Sequence, residues 1–203
     1  HGKDDQHAQD GKDHLKGGQG DDKLDGGDDK DHLQGGQGRD GLDGGTGDDH
    51  LVGGKGNDTL SGGAGKDHLE GGDGNNRLSG GSGKDDLNGG KGDDILIGGA
   101  GNDKMSGGAG SDQFWFGKGD GRDEAHGGDG GKNDIWLDEV QLYDVSKGPV
   151  AHADHTGEWT LTTDAAFEVH GDALSFTFGH ASGVITLWDG SQLEFDGMEK
   201  ITW

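Results

Sequence analysis

The chain has 203 residues, 49 of them glycine, with no cysteine, a hydrophobic fraction of 26% and a formal net charge of −24. Without cysteine no disulfide framework can staple a fold, and such acidity disfavours nucleic acid and anionic membrane as partners. For an ordinary globular protein these values point to disorder, so a folded state needs something that neutralises the charge; the length allows one or two domains.

In chain order, irregular copies of a nine-residue unit come first, faintly at 2–7 and more clearly at 10–16. From 17 to 115 the unit then runs eleven times without an insertion as Gly-Gly-x-Gly-x-Asp-x-Leu-x. A fixed short period marks a solenoid whose units cannot fold alone but stack on one another. The strict register and the leucine column argue against a flexible acidic linker. Each third of the unit has a separate task. The glycines supply backbone that takes positive φ and lies close to a ligand. The Asp supplies a hard anionic oxygen that, with turn carbonyls, suits Ca²⁺. The x-Leu-x triplet is a minimal strand with Leu pointing inward.

The inward column reads Leu24, Leu33, Leu42, Leu51, Leu60, Leu69, Leu78, Leu87, Leu96, Met105 and Phe114. The expected calcium carboxylates are Asp22, Asp31, Asp40, Asp49, Asp58, Asp67, Asp85, Asp94, Asp103 and Asp112, with Asp13 at the edge. Carbonyl ligands are expected from Gly18, Gly20, Gly27, Gly36, Gly38, Gly45, Gly47, Gly54, Gly56, Gly63 and Gly65. The same expectation extends to Gly72, Gly74, Gly81, Gly83, Gly90, Gly92, Gly99, Gly101, Gly108 and Gly110. Two departures stand out. Asn76 replaces one Asp and offers an oxygen without charge, so its site should be weaker; Asp29 replaces a third glycine.

This nonapeptide resembles the repeats-in-toxin (RTX) family. The resemblance implies an all-β fold: a calcium-loaded, right-handed parallel β-roll over 1–115, with two nonapeptides per turn. Repeats n and n+2 would then stack, placing their Asp residues about 4.8 Å apart. Carboxylates at that spacing repel by about 3 kcal/mol per pair at an effective dielectric near 20, and a bound cation reverses the sign. The segment is therefore expected to be unfolded without Ca²⁺ and folded with it.

Alternate repeats form outward columns. One reads His14, His32, His50, His68, Asp86, Lys104. Four imidazoles on one sheet face suit Zn²⁺ or Cu²⁺, or a pH-sensitive stripe; the simpler reading is a solvated surface drawn out by repeat duplication. The other face turns apolar at Ile95, Ile97 and Trp115, which the C-terminal region is expected to cover while capping the open end of the roll.

From 116 to 133 the period decays into a connector, with 127–134 echoing the repeat either as an irregular calcium site or as a plain Gly-rich link. From 134 to 203 a small antiparallel β cap is expected, with strands at 135–137, 141–143, 159–161, 167–169, 174–178, 184–188, 192–195 and 200–203. Asp189-Gly190 is a hairpin turn signal and Gly171-Asp172 another; Pro149 sits in a loop-like run.

No His-Glu-x-x-His or Gly-x-Ser-x-Gly occurs, and the Gly-rich run before Lys66 continues with Asp67 where a phosphate loop needs Ser or Thr. His152, Asp154 and His155 read as a polar loop rather than a metal cluster. No catalytic residue is expected. The chain starts at His1 in mid-pattern without a signal peptide or membrane span, as expected of a fragment. The resemblance implies the C-terminal, monomeric calcium module of a larger secreted or surface-attached bacterial protein, adhesin or toxin-like, exported by type I secretion machinery. The alternative is the accessory module of a secreted RTX enzyme (alginate epimerase, lipase or protease). Ice binding, known for related rolls, would need a Thr/Asn ladder that the outward positions lack.

Overall fold

The computed structural model describes residues 2–117 and 119–128, together with strands at 139–143, 159–163, 167–170, 173–176, 181–187, 192–198 and 200–202. Among these residues every regular element is a strand, and no helix is long and apolar enough to cross a membrane. The first strands are β1 (Asp5–His7), β2 (His14–Gln19), β3 (Lys23–Asp28), β4 (His32–Gln37), β5 (Gly41–Thr46), β6 (His50–Lys55) and β7 (Thr59–Gly65). Then follow β8 (His68–Asp73), β9 (Arg77–Gly83), β10 (Asp86–Lys91), β11 (Ile95–Gly101), β12 (Lys104–Ala109), β13 (Gln113–Gly117) and β14 (Arg122–His126).

Odd-numbered strands β1–β13 line one sheet and even-numbered strands β2–β14 the other, so the chain crosses between sheets after every repeat. Each strand pairs in parallel with the strand two repeats on, Leu24 opposite Leu42 and Leu33 opposite Leu51. Two repeats therefore make one turn of a parallel β-solenoid. The strands are longer than the x-Leu-x triplet alone. Pairing resumes beyond the triplet, as in Gly54 and Lys55 of β6 against Gly72 and Asp73 of β8. Identical backbones stacked in register leave no reason for the ladder to stop at the leucine.

Between the sheets the leucine column forms a single core. Leu24 through Leu96 are at most 2% exposed, and Met105, Phe114, Phe116 and Ala125 continue the stack. Each nonapeptide contributes one such side chain, worth roughly 1.5–3 kcal/mol when fully buried. That is a thin core for nine ordered residues.

Beyond the roll lie β15 (Glu139–Tyr143), β16 (Trp159–Thr163), β17 (Phe167–His170), β18 (Ala173–Phe176), β19 (Ala181–Leu187), β20 (Gln192–Met198) and β21 (Lys200–Thr202). Antiparallel pairs are present as expected: β16 with β19, β19 with β20, β17 with β18, and β18 with β21. Other cap strands extend the roll in parallel, β15 on β13, β21 on β15, and β20 on β14. Both sheets of the roll thus continue edge to edge into these strands, which supply hydrogen-bond partners to β13 and β14. Ile185, Leu193, Phe195 and Met198 carry the core on into it. Ile95, Ile97 and Trp115 are half-buried, with the Arg77 guanidinium 6.0 Å from the Trp115 ring centroid. The expected strand at 135–137, the Asp189-Gly190 and Gly171-Asp172 turns, Pro149, residues 129–134 of the echo at 127–134 and the His152, Asp154, His155 group lie outside the described residues.

Candidate metal centre

The turn after each strand brings the sixth residue of the repeat inward. Asp22, Asp31, Asp40, Asp49, Asp58, Asp67, Asp85, Asp94, Asp103 and Asp112 are all at most 4% exposed. Their Oδ1 atoms form a ladder. Each accepts a hydrogen bond from the backbone N–H of the sixth residue one turn earlier, as in Asp31 to Asp49 at 2.7 Å, Asp49 to Asp67 at 2.8 Å and Asp85 to Asp103 at 2.9 Å. Asp13 stands at the edge, half-buried, its N–H donating to Asp31 Oδ1 at 2.8 Å.

The second oxygen tells a different story. Oδ2 of Asp22, Asp31, Asp40, Asp49, Asp58, Asp67, Asp85, Asp94 and Asp103 is buried without a hydrogen-bond partner. Stripping water from an ionised oxygen and giving it nothing in return is costly. The consequence is visible in the acidities. Burial outweighs the ladder hydrogen bond and pushes Asp58, Asp67, Asp85 and Asp103 up to about 6 and Asp94 up to about 7. Asp31, Asp40 and Asp49 are raised for the same first reason.

A cradle lies beside most of these Oδ2 atoms, those of Asp31, Asp40, Asp49, Asp58, Asp67, Asp85 and Asp94. A Cβ placed on Gly62 would fall 2.5 Å from Asp67 Oδ2 and 2.7 Å from the carbonyl oxygen of Gly80. The same relation links Gly35 with Asp40 and Gly53, Gly53 with Asp58 and Gly71, and Gly80 with Asp85 and Gly98. Only a residue without a Cβ keeps this space open. It is bounded by a carboxylate and a carbonyl, all hard oxygen, the donor set Ca²⁺ takes at about 2.3–2.6 Å. The residues present therefore fit the ion. The carbonyls that border it belong to the first glycine of the repeat, not to the second and third glycines expected from the sequence. Carbonyls of the second and third glycines instead abut the matching glycine one turn on: a Cβ on Gly36 would meet Gly18 O at 2.3 Å.

Asn76 shows what happens where the charge is missing. It keeps its rung, accepting from Asp58 N–H at 3.0 Å, but its Nδ2 donates to Gly74 O at 2.9 Å and toward Gly89 O at 3.4 Å. The amide nitrogen sits where other repeats hold Oδ2 and satisfies the cradle carbonyl itself. The other departure, Asp29, takes φ of 73°, the left-handed region that the third glycine occupies elsewhere.

Two acidic residues escaped the sequence analysis. Asp123 Oδ1 accepts from Asp103 N–H at 2.9 Å across a spacing of 20 residues rather than 18, so it is the next rung. Burial, with the charges of Asp103 and Asp120 adding to it, pushes Asp123 up to about 8. Asp120 is 5% exposed and accepts from Gly117 N–H at 2.7 Å. The signal was present as Gly-x-Gly-x-Asp at 119–123. It was hidden by a two-residue insertion and by Ala125 standing where Leu is the rule.

An outer ladder accompanies the inner one. Asp21, Asp48, Asn57, Asn75, Asp93 and Asn102 each accept, through Oδ1, the N–H one turn later, as in Asp48 from Lys66 at 2.9 Å. The two ladders run in opposite directions, so each turn is tied to the next from both sides.

On the outer face of the even-numbered sheet, His14, His32, His50 and His68 do form a column, with successive ring centroids 5.5, 4.7 and 5.0 Å apart. Burial, with the neighbouring His32 and His68, holds His50 below the usual imidazole range.

A family model for the RTX calcium-binding nonapeptide repeat matches residues 7–42, 43–78 and 79–114, together more than half of the chain. No curated protein matches it.

Proposed function

The chain belongs to the RTX calcium-binding nonapeptide repeat family, and we propose that it is a folding switch thrown by calcium. The observation that carries this reading is the row of buried Oδ2 atoms without partners. In the absence of a cation those atoms oppose the folded state; with one in each cradle they hold it. The ligands are the Oδ2 atoms of the position-six aspartates and the first-glycine carbonyls that border the same space. Asp123 extends the set by one rung.

Repeat proteins of this family are generally exported, and the switch suits that route. At low cytosolic Ca²⁺ the acidic repeat stays extended and easy to pass through a type I secretion channel. At the millimolar Ca²⁺ typical of extracellular modules it folds. The module then belongs to a secreted or cell-surface protein, with the cap strands as the edge on which the roll nucleates.

A calcium titration followed by far-UV circular dichroism, with magnesium as control, tests the reading. A cooperative coil-to-β transition at sub-millimolar to millimolar Ca²⁺, absent with Mg²⁺, supports it. A β signal complete in chelator at neutral pH overturns it.

A further inference from the structure

The imidazole column does not end as it begins. Its first members, His14 and His32, have Lys16 and Gln34 two residues on, on the same face of their strands. At the third and fourth members the setting changes. His68 Nε2 lies 3.1 Å from Glu70 Oε1, and Asp86 Oδ2 lies 3.5 Å from His68 Nδ1. His50 sits directly opposite His68 in the ladder, and its Nδ1 is buried without a hydrogen-bond partner. One ligand atom from each of His50, His68 and Glu70 can be chosen so that all three lie within 4.8 Å of one another.

Repeat duplication accounts for the histidines, which recur every second repeat. It does not account for Glu70, because the matching positions on the same sheet face are Lys16, Gln34, Val52, Asn88 and Ser106. The donor chemistry also differs from that of the interior. Two imidazoles and one carboxylate suit Zn²⁺, which binds nitrogen at about 2.0–2.1 Å and carboxylate oxygen at about 2.0–2.2 Å, whereas the cradles offer oxygen alone.

We propose that His50, His68 and Glu70 form a binding site for a transition-metal divalent cation, Zn²⁺ in the first instance, on the outer face of the even-numbered sheet. Asp86 is its positioning residue. A carboxylate on the far side of His68 keeps the proton on Nδ1, which donates toward it, and leaves the Nε2 lone pair directed at the ion and Glu70, the carboxylate–histidine–metal arrangement. The three protein ligands leave the outer coordination position to water. The site sits between β6 and β8, so it reads out whether the roll is assembled: in an extended chain His50 and His68 are 18 residues apart and no longer share a face.

The test is calorimetric titration of Zn²⁺ into the full chain held in saturating Ca²⁺, so that the fold is constant and the carboxylate cradles are occupied. One Zn²⁺ per chain at micromolar affinity is expected, weakened at least tenfold in His50→Ala and in Glu70→Gln and unchanged in His14→Ala. Circular dichroism in Ca²⁺ checks that each variant is folded. Should the His50 variant fail to fold, Cu²⁺ added to the unaltered chain decides by NMR. Selective broadening of the His50 and His68 ring signals is expected, with His14 spared. Absence of binding, binding indifferent to Glu70→Gln, or broadening spread evenly over all four rings overturns the proposal.

Discussion

The backbone N–H of Asp49 donates to Oδ1 of Asp67 at 2.8 Å, one turn further along the roll, while Oδ2 of Asp67 is buried with no hydrogen bond. One carboxylate thus does two things. Half of it belongs to the protein's own ladder, and half is held ready for a cation. Folding and metal binding share a residue, which couples them without any moving part.

The amide of Asn76 already fills its own cradle, so exchange of amide and carboxylate should move the calcium response in opposite directions. Asp67→Asn is expected to lower the number of bound Ca²⁺ ions and to raise the Ca²⁺ midpoint of folding severalfold. Asn76→Asp should add to bound Ca²⁺ and lower the midpoint, at the expense of metal-free stability. Equilibrium dialysis with ⁴⁵Ca and calcium-dependent circular dichroism measure both. Identical midpoints for the three chains would contradict the assignment of Oδ2 as ligand.

Acidity should substitute for calcium. In the folded chain Asp58, Asp67, Asp85 and Asp103 are raised to about 6, Asp94 to about 7 and Asp123 to about 8, above the value near 4 of an unfolded Asp. A raised folded-state value means that the stabilising contribution is complete below about pH 4 and is lost as pH climbs through 6 to 8. In chelator the chain should therefore be more structured at pH 5 than at pH 8. In Ca²⁺ the order reverses, since the ligands must be ionised. Circular dichroism across that range is the check, and a chelated chain more ordered at pH 8 would refute the claim.

Glycine is required at the cradle but not everywhere. Gly62→Ala puts a Cβ 2.5 Å from Asp67 Oδ2 and 2.7 Å from Gly80 O, so it should cost about 1–3 kcal/mol and weaken Ca²⁺ binding. Gly41, in β5, has ordinary φ and nothing within 4 Å of an added Cβ. Gly41→Ala should be neutral or gain about 0.5–1 kcal/mol. Denaturant unfolding in saturating Ca²⁺ compares them, and equal losses at both sites would discount the cradle.

Asp29 is the one non-glycine residue with positive φ among those described. Asp29→Gly removes a left-handed strain of about 1–2 kcal/mol while adding unfolded-state freedom, leaving a net gain of about 0.5–1 kcal/mol. It also removes a charge that disfavours ionised Asp31. The prediction is a higher melting temperature in fixed Ca²⁺; a lower one would mean that Asp29 serves a role of its own.

The sequence by itself determined the solenoid, its leucine core and the column of aspartates, because each of these repeats at a spacing that local conformation reads directly: an apolar side chain every nine residues points inward in every regular copy. Tertiary structure decided what depends on contact between turns. Which glycine carbonyl faces Oδ2, and that the Asn76 amide satisfies Gly89 instead of a cation, are relations across 13 residues of chain that close only when the turns stack. The insertion before Asp123 breaks the nine-residue frame, yet stacking restores its rung through a 20-residue turn, since the ladder selects position in space rather than count along the chain. Likewise His50, His68 and Glu70 become one cluster only because parallel pairing sets residues 50 and 68 side by side.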